Sequence, residues 1–327
     1  VAETNESRPS PGPFTRRPVF HLLLLLVTAG SVFSTFLLFW GGGVTGSLED
    51  RAWGSALFSA SVLLILGAHE MGHYLMARAH GVEATLPYFI PIPLGFGTLG
   101  AVIRLRGRVP TRDALVDIGA AGPLCGLLVA VPVLGVGIAL SQPMAVPEGV
   151  HHFPPQSSLW HFAELLGQWL RWVLRDIPMS EAPSDGTLVF GDSLLGLALV
   201  RLIHGPLAEG TDLAAHPVLL AGWFGLLVTM LNLLPVGQLD GGHLTHAWFG
   251  EKAVPLGRFV AGLLLPLALL GSASWLVWFF LVTRVVGFRH PPVTAPEKPL
   301  SPSRKAVCAV CFAATVLTFM PVPLDAG

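Results

Sequence analysis

The sequence predicts an all-α polytopic membrane protein of about seven transmembrane helices, with a short β-hairpin or strand beside a small polar site. Three observations carry that expectation. Of 327 residues, 52% are hydrophobic and 12% charged, a balance outside the range of ordinary water-soluble domains. Apolar runs of roughly 17 to 27 residues recur along the chain, long enough to cross a hydrocarbon core about 30 Å thick. Between two of them, TLGAVIRLRGRV alternates apolar and basic residues with period two, the period of a strand.

In chain order, residues 1–18 (VAETNESRPSPGPFTRRP) are polar and proline-rich and end in basic residues, the composition of a disordered arm. The run from Val19 to Trp40 is longer than a signal-peptide core and lacks a small-x-small cleavage pattern, so it reads as a retained first anchor. Further runs lie at about 53–79, 114–140, 217–235, 254–272, 273–289 and 306–323. Only GSAS parts the pair after Pro255, which reads as a tight hairpin or as one kinked unit. Residues 142–216 form a long insertion. Within it LWHFAELLGQWLRWVLRD has apolar and polar faces at helical spacing and is expected on the bilayer surface, and GDSLLGLALVRLIHG is expected as a second such helix or a re-entrant piece. PYFIPIPLGFG, with prolines at 87, 91 and 93, reads as a loop dipping into the bilayer.

Charge fixes an orientation and excludes a class. A net charge of −1, from 19 basic and 20 acidic residues, gives no field that would draw in nucleic acid. Arg8, Arg16, Arg17, Arg78, Arg104, Arg106, Arg108, Arg112, Lys252, Arg258, Arg289, Lys298, Arg304 and Lys305 flank spans on the side that parity makes common, so the N-terminus is expected in the cytoplasm. The insertion, with three arginines against eight acidic residues, is expected outside. Cys125, Cys308 and Cys311 are too few for a disulfide scaffold. Cys308 and Cys311 form one CxxC without a second ligand pair, which argues for packing rather than metal binding.

The chemistry is concentrated in two short stretches. HEMGH, residues 69–73, closes the second apolar run. Residues four apart share a helix face, so His69 and His73 can grip one ion, while Glu70 projects from the adjacent turn within reach of a water. Random text of this composition gives roughly 0.015 such matches. Polar groups at membrane depth are expensive, on the order of 2.5 to 3.5 kcal/mol for a charged residue at the centre, which argues against histidines that merely fill a bundle. A catalytic zinc commonly takes three protein ligands. Asp240, in NLLPVGQLDGGH (232–243), is the outstanding acidic candidate, because Pro235 interrupts the helix and Gly237, Gly241 and Gly242 allow the backbone to turn it inward. Depth agrees: His69 lies 16 residues beyond Trp53, about 24 Å into a core of about 30 Å, near the cytoplasmic face that Asp240 also reaches.

HEMGH on a membrane helix with NLLPVGQLDGGH downstream resembles the paired signature HExxH and NxxPxxxLDG of the site-2 protease (M50) family of intramembrane zinc metalloproteases. The resemblance extends over about 53–250, and GTLGAVIRLRGRVP and AGP at 121–123 are similar to a bacterial and chloroplast branch without PDZ or CBS modules. It implies that His69, His73 and Asp240 hold one Zn2+, that Glu70 is general base and proton shuttle, and that Asn232 holds the substrate backbone or an oxyanion. It also implies that the partners are the lipid bilayer and a transmembrane helix of a protein substrate, cut within a bacterial inner membrane near its cytoplasmic side. His243 and His246 read as lying outside the direct chemistry. The GTLGAVIRLRGRVP strand would pair with an unwound substrate if its edge is free. Gly122 and Gly126, a small-xxx-small pair, read as helix packing. The alternative is a catalytically silent membrane escort protein that keeps the fold, against which the intact Glu70 argues. A prenyl-protein type of membrane zinc protease would instead draw its third ligand from a glutamate.

Overall fold

The computed structural model describes residues 18–40, 47–145, 188–208 and 210–326. The arm before Pro18 and the amphipathic stretch at 159–176 lie outside the described residues. Helix α1 (Pro18–Thr35) runs on into one π-helical turn, Phe36–Trp40. Helix α2 (Leu48–Ala79) opens with a capping box, in which Ser47 Oγ accepts from the Asp50 amide at 3.2 Å and the Asp50 carboxylate accepts from the Ser47 amide at 2.8 Å. Gly81, at φ +72°, turns the chain into four short strands: β1 (Glu83–Ala84), β2 (Tyr88–Pro91), β3 (Thr98–Val102) and β4 (Leu105–Arg106). Helix α3 (Arg112–Leu140) follows, capped by Thr111 Oγ1, which accepts from the Ala114 amide at 3.1 Å. Then come β5 (Pro143–Ala145), β6 (Leu188–Phe190), α4 (Leu194–Ile203), β7 (Thr211–Leu213) and α5 (Pro217–Asn232). After α5 lie α6 (Asp240–Phe249), a 3-10 turn (Gly250–Lys252) and α7 (Ala253–Leu270). The chain closes with α8 (Ser274–Phe280) and its π-helical turn (Leu281–Val286), α9 (Pro302–Thr318) and β8 (Leu324–Ala326).

Among the described residues four stretches are long and apolar enough to cross a membrane: Pro18–Trp40, Leu48–Ala79, Arg112–Leu140 and Asp240–Leu270. Helices α4 and α5 and the unit Ser274–Val286 are apolar but shorter, and α9 has 17 residues. The expectation of about seven spans thus meets four helices of full length. The difference has local causes. The NLLPVGQL stretch ends α5 at Asn232, and the chain becomes helical again already at Asp240, running through the 3-10 turn into α7. GSAS does break the later pair, separating α7 from α8.

Helices α2, α3 and α5 form the centre, around Phe58, Val62, Ile65, Leu66, Leu134, Ile138 and Leu226. Glycine brings α3 and α5 close: a Cβ on Gly222 would stand 2.5 Å from Leu134 Cα, and one on Gly137 2.3 Å from Leu219 Cα. This is how helices associate where lipid offers no hydrophobic drive. Outward faces keep Leu22, Leu26, Leu128 and Val136 exposed, as a lipid-facing surface requires.

The expected strand is a longer hairpin than the alternating stretch alone. β2 pairs antiparallel with β3, Tyr88 opposite Val102, Phe89 opposite Ala101 and, past a bulge, Pro91 opposite Thr98. β1 pairs with β4, Glu83 opposite Arg106. PYFIPIPLGFG, expected as a loop, supplies β2 in its first half. Pro87 and Pro91 sit beside and at the end of that strand, where a missing N–H disturbs the ladder least. The hairpin is pinned to α1. Trp40 Nε1 donates to the Gly95 carbonyl at 2.7 Å, a His21 ring nitrogen lies 3.0 Å from the Pro87 carbonyl, and a Cβ on Gly97 would meet Val32 Cα at 2.4 Å. Phe96 stacks on Trp40 and packs on Phe58, Trp223 and Phe224.

Candidate metal centre

The last third of α2 presents His69 and His73 on one face, one turn apart, both buried. Asp240 arrives as the first residue of α6. Two features place it there. Gly237 takes φ +54°, and a Cβ on it would collide with the Gly287 carbonyl at 2.0 Å. Gly241 and Gly242 are helical, so their use is close approach rather than the turn expected from sequence. A Cβ on either would strike the Leu233 or Gly237 carbonyl at 2.0 and 2.3 Å. The carboxylate then points one oxygen at each imidazole, Oδ2 at 3.2 Å from His69 Nε2 and Oδ1 at 3.3 Å from His73 Nε2, and the two Nε2 atoms are 3.2 Å apart.

Those three separations test whether a metal fits. A tetrahedral zinc with bonds of 2.0 to 2.1 Å needs its ligand atoms about 3.3 Å apart. Among the described residues His69, His73 and Asp240 are the group of three that can hold an ion. The protonation pattern agrees. His73 Nδ1 donates to the Ile118 carbonyl at 2.7 Å, which leaves a lone pair on Nε2, the atom that faces the other two ligands.

Glu70, the residue after His69, is buried, accepts from the Ile103 amide and lies close enough to His73 and Asp240 to interact electrostatically with both. Ile103 directly follows β3, so the hairpin and the carboxylate are mechanically linked. Asn232, the last residue of α5, places its carboxamide nitrogen 3.4 Å from His69 Nε2, at the edge of the ligand cluster. The structure thus gathers Glu70, Asn232 and the three ligand candidates at one place, whereas His246 is turned toward His290, away from the imidazoles of α2.

Sequence reasoning passed over the wall behind the imidazoles. Gly122 and Gly126 of α3 do pack helices together, but what they pack against are the candidate ligands. A Cβ on Gly122 would lie 2.0 Å from His73 Nε2, and one on Gly126 3.1 Å from His69 Nδ1. The small residues of AGPLCG were visible as a signal; their target was not. The Ile118 carbonyl, a backbone atom, leaves no mark in the sequence.

The model of peptidase family M50 matches residues 57–269, a range that holds His69, Glu70, His73, Asn232 and Asp240. The chain belongs to peptidase family M50. Among curated proteins it is 30% identical over 262 residues to the probable zinc metalloprotease EGY1 of Arabidopsis thaliana, a chloroplast protein. That match covers 80% of this chain and 42% of the relative. It is 29% identical over 283 residues to the corresponding EGY2 of Oryza sativa subsp. indica, covering 85% and 44%. The aligned part therefore spans less than half the length of these relatives. No solved structure matches.

Proposed function

We propose that this M50 protein is a zinc-dependent intramembrane protease that hydrolyses peptide bonds within transmembrane segments of other membrane proteins. The observation that carries the reading is the convergence of two imidazoles, with Nε2 atoms 3.2 Å apart, on the Asp240 carboxylate, which sets one oxygen 3.2 to 3.3 Å from each, with a buried glutamate beside them. Relatives named as zinc metalloproteases support the metal and the class of reaction.

His69, His73 and Asp240 would hold one zinc. Bound there, it supplies Lewis acidity that polarises the scissile carbonyl and acidifies a water. Glu70 takes a proton from that water as its oxygen attacks the carbonyl carbon, and delivers the proton to the amide nitrogen as the C–N bond breaks. Asn232 presents an N–H toward the oxygen that gains charge, a role for which its carboxamide is suited. The Ile103 amide fixes the direction in which Glu70 points.

The substrate must unwind, because a helical amide has its carbonyl bonded and shielded. Glycine or proline in the target would lower that cost by about 1 to 3 kcal/mol per residue. Strand β3, paired on one side with β2 and followed by Ile103, offers an edge on which an unwound segment would lie next to Glu70. We further propose that α5, α8 and α9 complete seven spans with the four full-length stretches. The N-terminus and the site face the cytoplasm of a bacterial inner membrane, or the matching side of a membrane in a chloroplast, the compartment given in the relatives' names.

The test is cleavage of a helical membrane substrate by purified protein in vesicles. Wild type is expected to cut, and Glu70→Gln to keep its zinc and lose cleavage by about 10³-fold or more. Unchanged turnover in that variant removes the mechanism, and failure of wild type to cut any unwinding-prone segment favours the escort reading.

A further inference from the structure

Asp240, His243 and His246 follow one another on α6 at intervals of three, so they lie along one helical stripe. The first reaches the ligand cluster. The other two are held by a single residue from outside, His290, in the segment between α8 and α9. His243 Nδ1 and His290 Nε2 are 2.5 Å apart with the rings at 88°. The face of His290 lies on His246, centroids 4.4 Å apart and planes at 16°. His290 Nδ1 is 2.6 Å from the Pro291 carbonyl, which can only accept, so Nδ1 carries the proton and Nε2 presents a lone pair to His243 Nδ1–H. Burial and the two neighbouring imidazoles push His290 down to about 3, so the ring stays neutral.

A second metal ion is the rival account of three clustered imidazoles. Ligand atoms on one tetrahedral zinc stand about 3.3 Å apart, and the 2.5 Å between His243 and His290 is far inside that distance. It is a hydrogen bond.

The segment bearing His290 is itself anchored to α3. The amides of Thr294 and Ala295 donate to the Val109 and Pro110 carbonyls at 3.0 Å each, and the Ser301 amide donates to Asp113 Oδ1 at 2.9 Å. Arg304 then forks Asp117, Nε to Oδ1 at 3.0 Å and Nη2 to Oδ2 at 2.9 Å. Asp117 precedes Ile118, whose carbonyl orients His73.

We propose that His290 is a positioning residue for the metal centre: by gripping His243 and His246 it fixes the rotation of α6 against α3, and so the place of the Asp240 carboxylate between His69 and His73. This rests on the ligand assignment above. Helix α6 needs such a grip, because its N-cap, Leu239, makes no side-chain capping bond. With side chains a helix is about 5 to 6 Å in radius, so a rotation of about 20° would swing the carboxylate by about 2 Å. A metal constellation tolerates about 0.5 Å.

Zinc affinity, by competition with a chelating indicator, and the visible spectrum of the Co2+-substituted protein test this on the full chain in detergent. His290→Ala is expected to weaken zinc binding by about 10- to 100-fold and to change the Co2+ spectrum, with helicity unaltered. His290→Gln, whose carboxamide oxygen can accept from His243, recovers most of the affinity; His290→Phe, which keeps the ring face on His246 without an acceptor, does not. If the alanine variant fails to fold, the Gln and Phe pair decides. Zinc affinity within about twofold of wild type in the Phe variant, with an unchanged Co2+ spectrum, overturns the proposal, as does Gln performing no better than Phe. Asp240→Ala reports on the ligand set separately: zinc bound as tightly without that carboxylate counts against the centre itself, whatever His290 does.

Discussion

Gly122 shows what one missing methyl does at the residue scale. Its hydrogen stands where a Cβ would come within 2.0 Å of the nitrogen of His73 that faces the other ligands. Gly122→Ala is therefore expected to displace that imidazole from the Ile118 carbonyl and cut zinc affinity by more than about 10²-fold. Helix propensity alone would favour the change by about 1 kcal/mol. Gly135→Ala, in the same helix with Ile203 4.0 Å away, is the control: it should keep full zinc content. Zinc content measured on both variants checks the contrast, and equal retention in the two would place His73 outside the ligand set. That His69, Glu70, His73 and Asp240 are candidates for one cluster was legible in the sequence because helical spacing and the cost of polar groups in lipid are local properties. Gly122, Ile118 and His290 were not, since their meaning depends on which helix faces them.

At the scale of elements, the hairpin and α1 act together. The period-two alternation revealed β3 and β4, but prolines at 87, 91 and 93 concealed β2, because a strand that carries them only at its ends looks like a loop. Nothing in the sequence told that α1 would hold the hairpin through Trp40, His21 and the close pass at Gly97. Gly97 has φ +84° and its missing side chain faces Val32, so Gly97→Ala carries about 1 to 2 kcal/mol of backbone strain in addition to the clash. The expected outcome is loss of cleavage by about 10-fold or more with zinc content unchanged, because the candidate ligands sit on α2 and α6 while the hairpin touches Glu70 through the Ile103 amide. Paired assays of zinc and turnover check it. A parallel fall in both would mean that the hairpin supports the ligands rather than the substrate.

For the whole molecule, the metal would join α2 to α6, elements far apart in sequence, so binding should stabilise the fold. At a free zinc concentration of about 100 times Kd the gain is about 2.7 kcal/mol. Chelation is expected to lower the Tm of wild type and leave that of Asp240→Ala unchanged. The orientation proposed from the basic residues predicts that Arg108→Cys, in the exposed turn after β4, reacts with an impermeant thiol reagent from the cytoplasmic side and Asp212→Cys, on β7, from the opposite side. The number of spans was less legible. Apolar runs reveal hydrophobic length, whereas helix breaks such as NLLPVGQL decide how much of each run stays helical. The most direct measurement of the central claim is zinc K-edge X-ray absorption on the purified protein. Two imidazole nitrogens and a carboxylate oxygen at about 2.0 to 2.1 Å are expected, and a sulfur shell at about 2.3 Å, placing the metal on Cys125, Cys308 or Cys311, would contradict it.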